Sequence, residues 1–116
     1  MPTGNKYKLK GRIWIEINGE TFIGEGKAQL LKKTAELGSL RKAAAELNIS
    51  YRKAWYSLNH MNNAAKEPVI ILRQGGRNGG IAEITDFGRE ILRRFEKIEQ
   101  DFNSFLEIQT GSLNEE

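Results

Sequence analysis

An α+β fold is predicted, and three observations carry it. Gly38 to Asn63, GSLRKAAAELNISYRKAWYSLNHMNN, reads as two short helices joined by a tight turn. RQGGRNGG, at 73–80, is a glycine-rich segment between two short runs of aliphatic residues. A long helical period follows, carrying four of the chain's five phenylalanines. In that order they make a winged helix-turn-helix: an N-terminal β-strand region, a three-helix core, a β-hairpin wing and a long C-terminal dimerisation helix.

The 116 residues suit one domain. Its expected extent is 8–109, with a flexible N-terminus at 1–7 and a disordered tail at 110–116. With no cysteine there is neither a disulfide framework nor a thiolate metal site, and a reducing compartment is compatible. No apolar run approaches a membrane span and the first ten residues lack a secretory core, so a cytoplasmic location without membrane contact is expected. The formal net charge of +3 is unevenly spread: residues 39–80 carry seven Lys or Arg against two acids, whereas 81–116 carry four against nine. A basic middle beside an acidic end suggests one face for a polyanion and another for something else.

From Lys8 the chain alternates, with Leu9, Ile13, Ile15 and Ile17 on one side and Lys8, Lys10, Arg12, Trp14 and Glu16 on the other. Asn18-Gly19 signals a tight turn, with a return strand at Thr21 to Ile23. Trp14 on the more polar face is expected to meet the last helix or a second subunit. Gly24-Glu25-Gly26 interrupts, and Lys27 to Leu37 forms a helix with Ala28, Leu30, Leu31 and Ala35 inward, ended by Gly38.

Ser39 caps the next helix, whose Leu40, Ala43, Ala44 and Leu47 face inward, and Asn48 turns the chain in the left-handed conformation. Ser50 caps the third helix, with Tyr51, Ala54, Trp55, Leu58 and Met61 or Asn62 along its apolar stripe. Small Ala43, Ala44 and Ala54 let the two helices cross closely. Residues 62–68 read as a loop and Val69 to Leu72 as a strand, with Ile81 to Ile84 as its partner and Asn78-Gly79 at the hairpin tip. Thr85 caps a final helix from about Asp86 to Ile108, in which Phe87, Ile91, Phe95, Ile98, Phe102 and Phe105 recur at steps of three and four. So many large groups exceed what a small core can hold, and part of the stripe is expected to face another subunit.

The glycine-rich segment is no phosphate-binding loop of nucleotide enzymes, since two strands flank it and no Lys-Ser or Lys-Thr follows. His60 is the sole histidine and has no metal-site companions, so no metal, no cofactor, no catalytic residue and no enzyme activity are expected.

Several of these stretches together resemble the N-terminal domain of the ModE family of molybdate-responsive transcriptional regulators. They are Ile49-Ser50-Tyr51-Arg52-Lys53-Ala54-Trp55 with Asn59, Met61 and Asn62, the Gly75 to Gly80 loop, and the step from Ile84-Thr85 to Gly88. The likeness covers roughly residues 8–108; LysR-type regulators share a looser version of the layout. It implies a dimeric, sequence-specific binder of double-stranded DNA, dimerised by the terminal helix and the N-terminal strand region. Family members carry molybdate-binding domains after this one and the chain stops where those would begin, so direct molybdate sensing is not implied and the effector stays open.

The expected recognition helix, about residues 50–63, would enter the major groove, with the wing at 73–80 on the backbone or minor groove. Ser50, Arg52, Lys53 and Tyr56 are the candidates for base edges and adjacent phosphates, Ser39, Arg41 and Lys42 for the backbone, and Arg77 and Asn78 for the wing contact. Tyr51 and Trp55 fit the core better than a stack on DNA. Trp14, Phe87, Ile91, Phe95, Ile98, Phe102 and Phe105 are the candidates for the dimer interface. The alternatives are a winged-helix protein-interaction module or a nonspecific architectural DNA binder.

Overall fold

The computed structural model describes residues 6–73 and 80–115. The elements run β1 (Trp14–Ile17), β2 (Glu20–Gly24), α1 (Glu25–Leu37), α2 (Leu40–Glu46), α3 (Tyr51–Ala64), β3 (Ile70–Arg73), β4 (Ile81–Ile84) and α4 (Asp86–Leu113). Among the described residues, four helices thus accompany two separate two-stranded antiparallel sheets, β1-β2 and β3-β4.

The β1-β2 turn uses Asn18 and Gly19 at φ 52° and 84°, the paired positive values that let a two-residue turn follow the strand twist. Only Trp14–Ile17 joins the ladder; the alternation running back to Lys8 does not extend it. The register shifts between Ile15 and Glu16, which pair with Ile23 and Thr21. Phe22 is therefore the extra residue of a bulge, and Phe22 and Ile23 both turn inward although they are neighbours.

α1 begins at Glu25, earlier than the glycines suggested, and ends at Gly38 with φ 64°, whose N–H donates to the Thr34 carbonyl at 2.8 Å. Its buried residues are Ala28, Leu30, Leu31 and Thr34, with Ala35 only half-buried. The N–H of Lys42 donates to Ser39 Oγ at 3.2 Å and that of Lys53 to Ser50 Oγ at 3.0 Å, so both expected caps form. Between α2 and α3, Asn48 takes φ 58°. Ala43 and Ala54 are wholly buried, which lets these helices approach closely.

α3 continues to Ala64, beyond the expected loop start at residue 62, and the reason lies in Asn62. Its Oδ1 accepts from the N–H groups of Val69 and Ile70 at 2.8 and 3.2 Å, and its Nδ2 donates to the Ile70 carbonyl at 2.8 Å. One side chain therefore stands in for a strand partner and ties the end of α3 to the start of β3. At the other end of the hairpin Thr85 caps α4: its Oγ1 accepts from the Gly88 N–H at 2.9 Å and donates to the Pro68 carbonyl at 2.7 Å. A Cβ on Gly88 would lie 1.9 Å from the Val69 carbonyl oxygen, so α4 meets the hairpin at a distance only glycine allows.

The core joins Phe22 and Ile23 to Leu30, Leu31, Leu58, Met61, Val69, Ile70 and Phe95. α4 has 28 residues, about 42 Å of helix, and only its first part meets that core. The rest projects, which gives a radius of gyration of 18.0 Å, against about 13 Å for a compact chain of this length. The helix also runs past Ile108 into the stretch expected to be a tail. There, Asn114 exchanges hydrogen bonds with the backbone N–H and carbonyl of Tyr7 at 2.9 and 3.0 Å, and the Leu9 N–H donates to Thr110 Oγ1 at 2.9 Å.

Candidate nucleic-acid interface

α2 and α3 each carry two cations as their second and third residues, Arg41-Lys42 and Arg52-Lys53, in the first turn after the serine cap. All four side chains are exposed, and among the described residues none has a carboxylate within 4.0 Å. The contrast with α4 is direct: Arg89 pairs with Asp86 at 2.8 Å, Arg93 with Glu90, and Lys97 with Asp101 at 2.7 Å. Lys32 and Lys33 on α1 pair with Glu96 and Glu46. Unpaired positive charge at two adjacent helix starts adds to the partial positive charge of helix N-termini, an arrangement that favours anions.

Aromatic rings hold two of the cations in place. The Arg41 guanidinium lies 4.7 Å from the Tyr51 ring centroid, and that of Arg52 lies 5.7 Å from the Tyr56 centroid. Tyr56 is 56% exposed and meets Trp55 edge-on, with centroids 5.6 Å apart. Tyr51 and Trp55 are half-buried and pack against the core, so each has one flank inside and one outside.

The serines sit differently from the cations. Ser39 is buried and the hydroxyl oxygens of Ser39 and Ser50 are engaged by backbone N–H groups, so their clearest role is to start the helices that carry the cations. Arg77 and Asn78 lie outside the described residues. Arg73, at the end of β3, is exposed and was not among the contact candidates drawn from the sequence.

The hydrophobic candidates divide. Phe95 is wholly buried in the chain's own core and Phe87 and Ile91 pack against it, so the even spacing of the stripe hides two environments. Phe95 has no surface to offer a partner. Beyond it Ile98, Phe105 and Ile108 are exposed, as is Trp14, which donates from its indole N–H to Glu16 at 3.1 Å. Phe102 is half-buried because the N-terminal segment crosses it: a Cβ on Gly11 would come 2.9 Å from its ring. An open groove of about 710 Å³ runs between that segment, the start of α1 and α4, with Trp14, Lys27, Glu99 and Phe102 on its walls. Burial lowers the Lys27 pKa; burial first, then repulsion from Glu25 and Glu96, raises that of Glu99.

Among the described residues no group of three or more His, Cys, Asp or Glu side chains could hold a metal ion, and no helix is long and apolar enough to cross a membrane.

No family model matches the chain. Among curated proteins it is 33% identical over 108 residues to the molybdenum transport protein ModE of Azotobacter vinelandii, a match covering 93% of this chain and 40% of the relative. It is 27% identical over 110 residues to the molybdenum-pterin-binding protein MopA of Rhodobacter capsulatus, covering 95% and 42%. It is 28% identical over 88 residues to the DNA-binding transcriptional dual regulator ModE of Escherichia coli K12, covering 76% and 34%. The chain thus spans well under half the length of these relatives. It is similar to ModE and Mop proteins, some named as transcriptional regulators and none of these three as an enzyme.

Proposed function

We propose that this chain is a winged helix-turn-helix domain that binds double-stranded DNA sequence-specifically as a homodimer and thereby regulates transcription. The observation that carries the reading is the set of unpaired cations Arg41, Lys42, Arg52 and Lys53 at the starts of α2 and α3, beside exposed Tyr56. In this reading α3 lies in the major groove. Arg52 then reaches a guanine edge, for which its two parallel N–H groups are suited, while Arg41, Lys42 and Lys53 lie along phosphates. The β3-β4 hairpin is the wing, and Arg77 and Asn78 act from it on the backbone or minor groove. The likeness to a relative named as a DNA-binding transcriptional dual regulator supports the same partner.

The dimer would form through the far part of α4 with Trp14, since Ile98, Phe105 and Ile108 have no partner in their own chain equal to the area they expose. Two α3 helices brought together this way would read half-sites about 34 Å apart.

Selection of bound duplexes from a random-sequence pool tests this at about 0.05 and 0.2 M salt, a range over which phosphate-dominated binding weakens strongly. An enriched palindrome with half-sites one helical turn apart is the expected result. Salt-sensitive retention without an enriched sequence would replace it with an architectural binder, and no retention would leave a protein-interaction module.

A further inference from the structure

An open slot of about 310 Å³ on α3 is lined by Tyr51, Arg52, Trp55 and Tyr56, and its walls are mostly apolar. Tyr51 and Trp55 are four apart, as are Arg52 and Tyr56, so they form two adjacent rows on the first half of the helix. The rings are held: Tyr51 and Trp55 by packing against the core, Tyr56 by the edge of Trp55 and by the Arg52 guanidinium. A mostly apolar recess whose rings carry the unpaired cations Arg41 and Arg52 is an odd feature for a surface whose only task is to hold phosphates. Phosphate recognition needs charge and hydrogen-bond donors, and aromatic carbon supplies neither.

We infer that this slot reads a thymine, by taking its 5-methyl group into the recess beside the edge-on Tyr56 and Trp55 rings, next to the base pair that Arg52 contacts. The inference rests on duplex DNA being the partner and adds the base chemistry that the slot selects. Of the four base pairs' major-groove edges only those with thymine carry a methyl group, and apolar side chains distinguish it from the hydrogen at the same position of cytosine. The surrounding cations complement the charge of a duplex and bring the groove floor to the slot. Tyr51 then has two duties: it lines the slot and it holds the Arg41 guanidinium against its ring.

The test uses the full chain and the duplex recovered by selection, with each thymine replaced in turn by deoxyuridine, which keeps every hydrogen-bonding group and lacks only the methyl. Fluorescence anisotropy of labelled duplex should show about fourfold weaker binding at one thymine per half-site, the value of one buried methyl group. Tyr56→Ala should bind the parent duplex more weakly and lose that sensitivity, whereas Tyr56→Phe, which keeps the ring, should retain it. Because Tyr56 is exposed, both variants should keep the parent melting temperature. The inference is overturned if no deoxyuridine position changes the affinity, or if Tyr56→Ala keeps the full deoxyuridine effect. DNA binding with no enriched sequence would also overturn it while leaving the DNA partner in place; failure to bind any duplex would overturn both.

Discussion

The near end of α4, from Asp86 to Phe95, and its far end, from Ile98 to Leu113, belong to one helix and carry one apolar period, yet their surroundings have little in common. At the near end Gly88 touches the Val69 carbonyl, Phe95 is sealed in the core, and Phe87, Ile91 and Leu92 pack beside it. At the far end Ile98, Phe105, Ile108 and Leu113 are exposed, and the chain's own cover is the N-terminal strip that lies over Phe102. The same residue types therefore serve folding in one half and, in the proposed dimer, assembly in the other. Charge divides in a parallel way. Along α4, Arg89, Arg93 and Lys97 are paired with acids one turn away, whereas the cations at the starts of α2 and α3 are left for a partner.

Substitutions can break this contrast. Phe95→Ala should cost about 3–5 kcal/mol of folding stability by leaving a cavity in the core, read as a large fall in the urea midpoint. Phe105→Asp should leave the monomer folded but weaken self-association by about 2 kcal/mol or more, as expected for an aromatic anchor, read by sedimentation over a dilution series. An unfolded Phe105→Asp monomer would show that the far end also serves folding. Arg52→Ala should remove specific DNA binding, with about 1–3 kcal/mol of base discrimination lost, while the melting curve and dimer stay as they were.

Smaller effects sharpen the picture. Lys97→Ala should change stability by no more than about 0.5 kcal/mol, because its pair with Asp101 is solvent-screened. On the groove, Glu99 is the group whose raised pKa gives a pH dependence on the acid side. Its pKa is raised in the folded chain, so the folded state holds this proton more tightly than the unfolded one, and stability should rise as pH falls through the raised value. Glu99→Gln should remove that gain and stabilise the protein slightly at neutral pH, by about 0.5 kcal/mol at most; a melting temperature that falls instead would mean that the charged carboxylate is needed.

Legibility in the sequence followed the range of the forces involved. Ser39, Ser50 and Thr85 as caps, and Asn18-Gly19, Gly38 and Asn48 as turns, act within a few residues of themselves, so the local pattern suffices. Asn62 and Gly88 act on residues 69 and 70, across a chain reversal, and only the folded arrangement shows why an amide and a missing side chain stand there. Phe22 turns inward because of a bulge that breaks the alternation on which a strand is recognised. The α4 stripe was legible as apolar, but its division at Phe95 was not, since periodicity reports which face is apolar and not what covers it. At the candidate interface the cations were legible; the aromatic slot beside them was not, because Tyr51 and Trp55 read better as core.

The most direct measurement of the central claim is the mass of the complex on a selected palindromic duplex, by analytical ultracentrifugation at about 0.05 M salt, where phosphate contacts are strong. Two chains per duplex are expected for the wild type, with Arg52→Ala still dimeric but binding the selected duplex no better than a scrambled one. A duplex that sediments unchanged in the presence of folded wild-type dimer would contradict it.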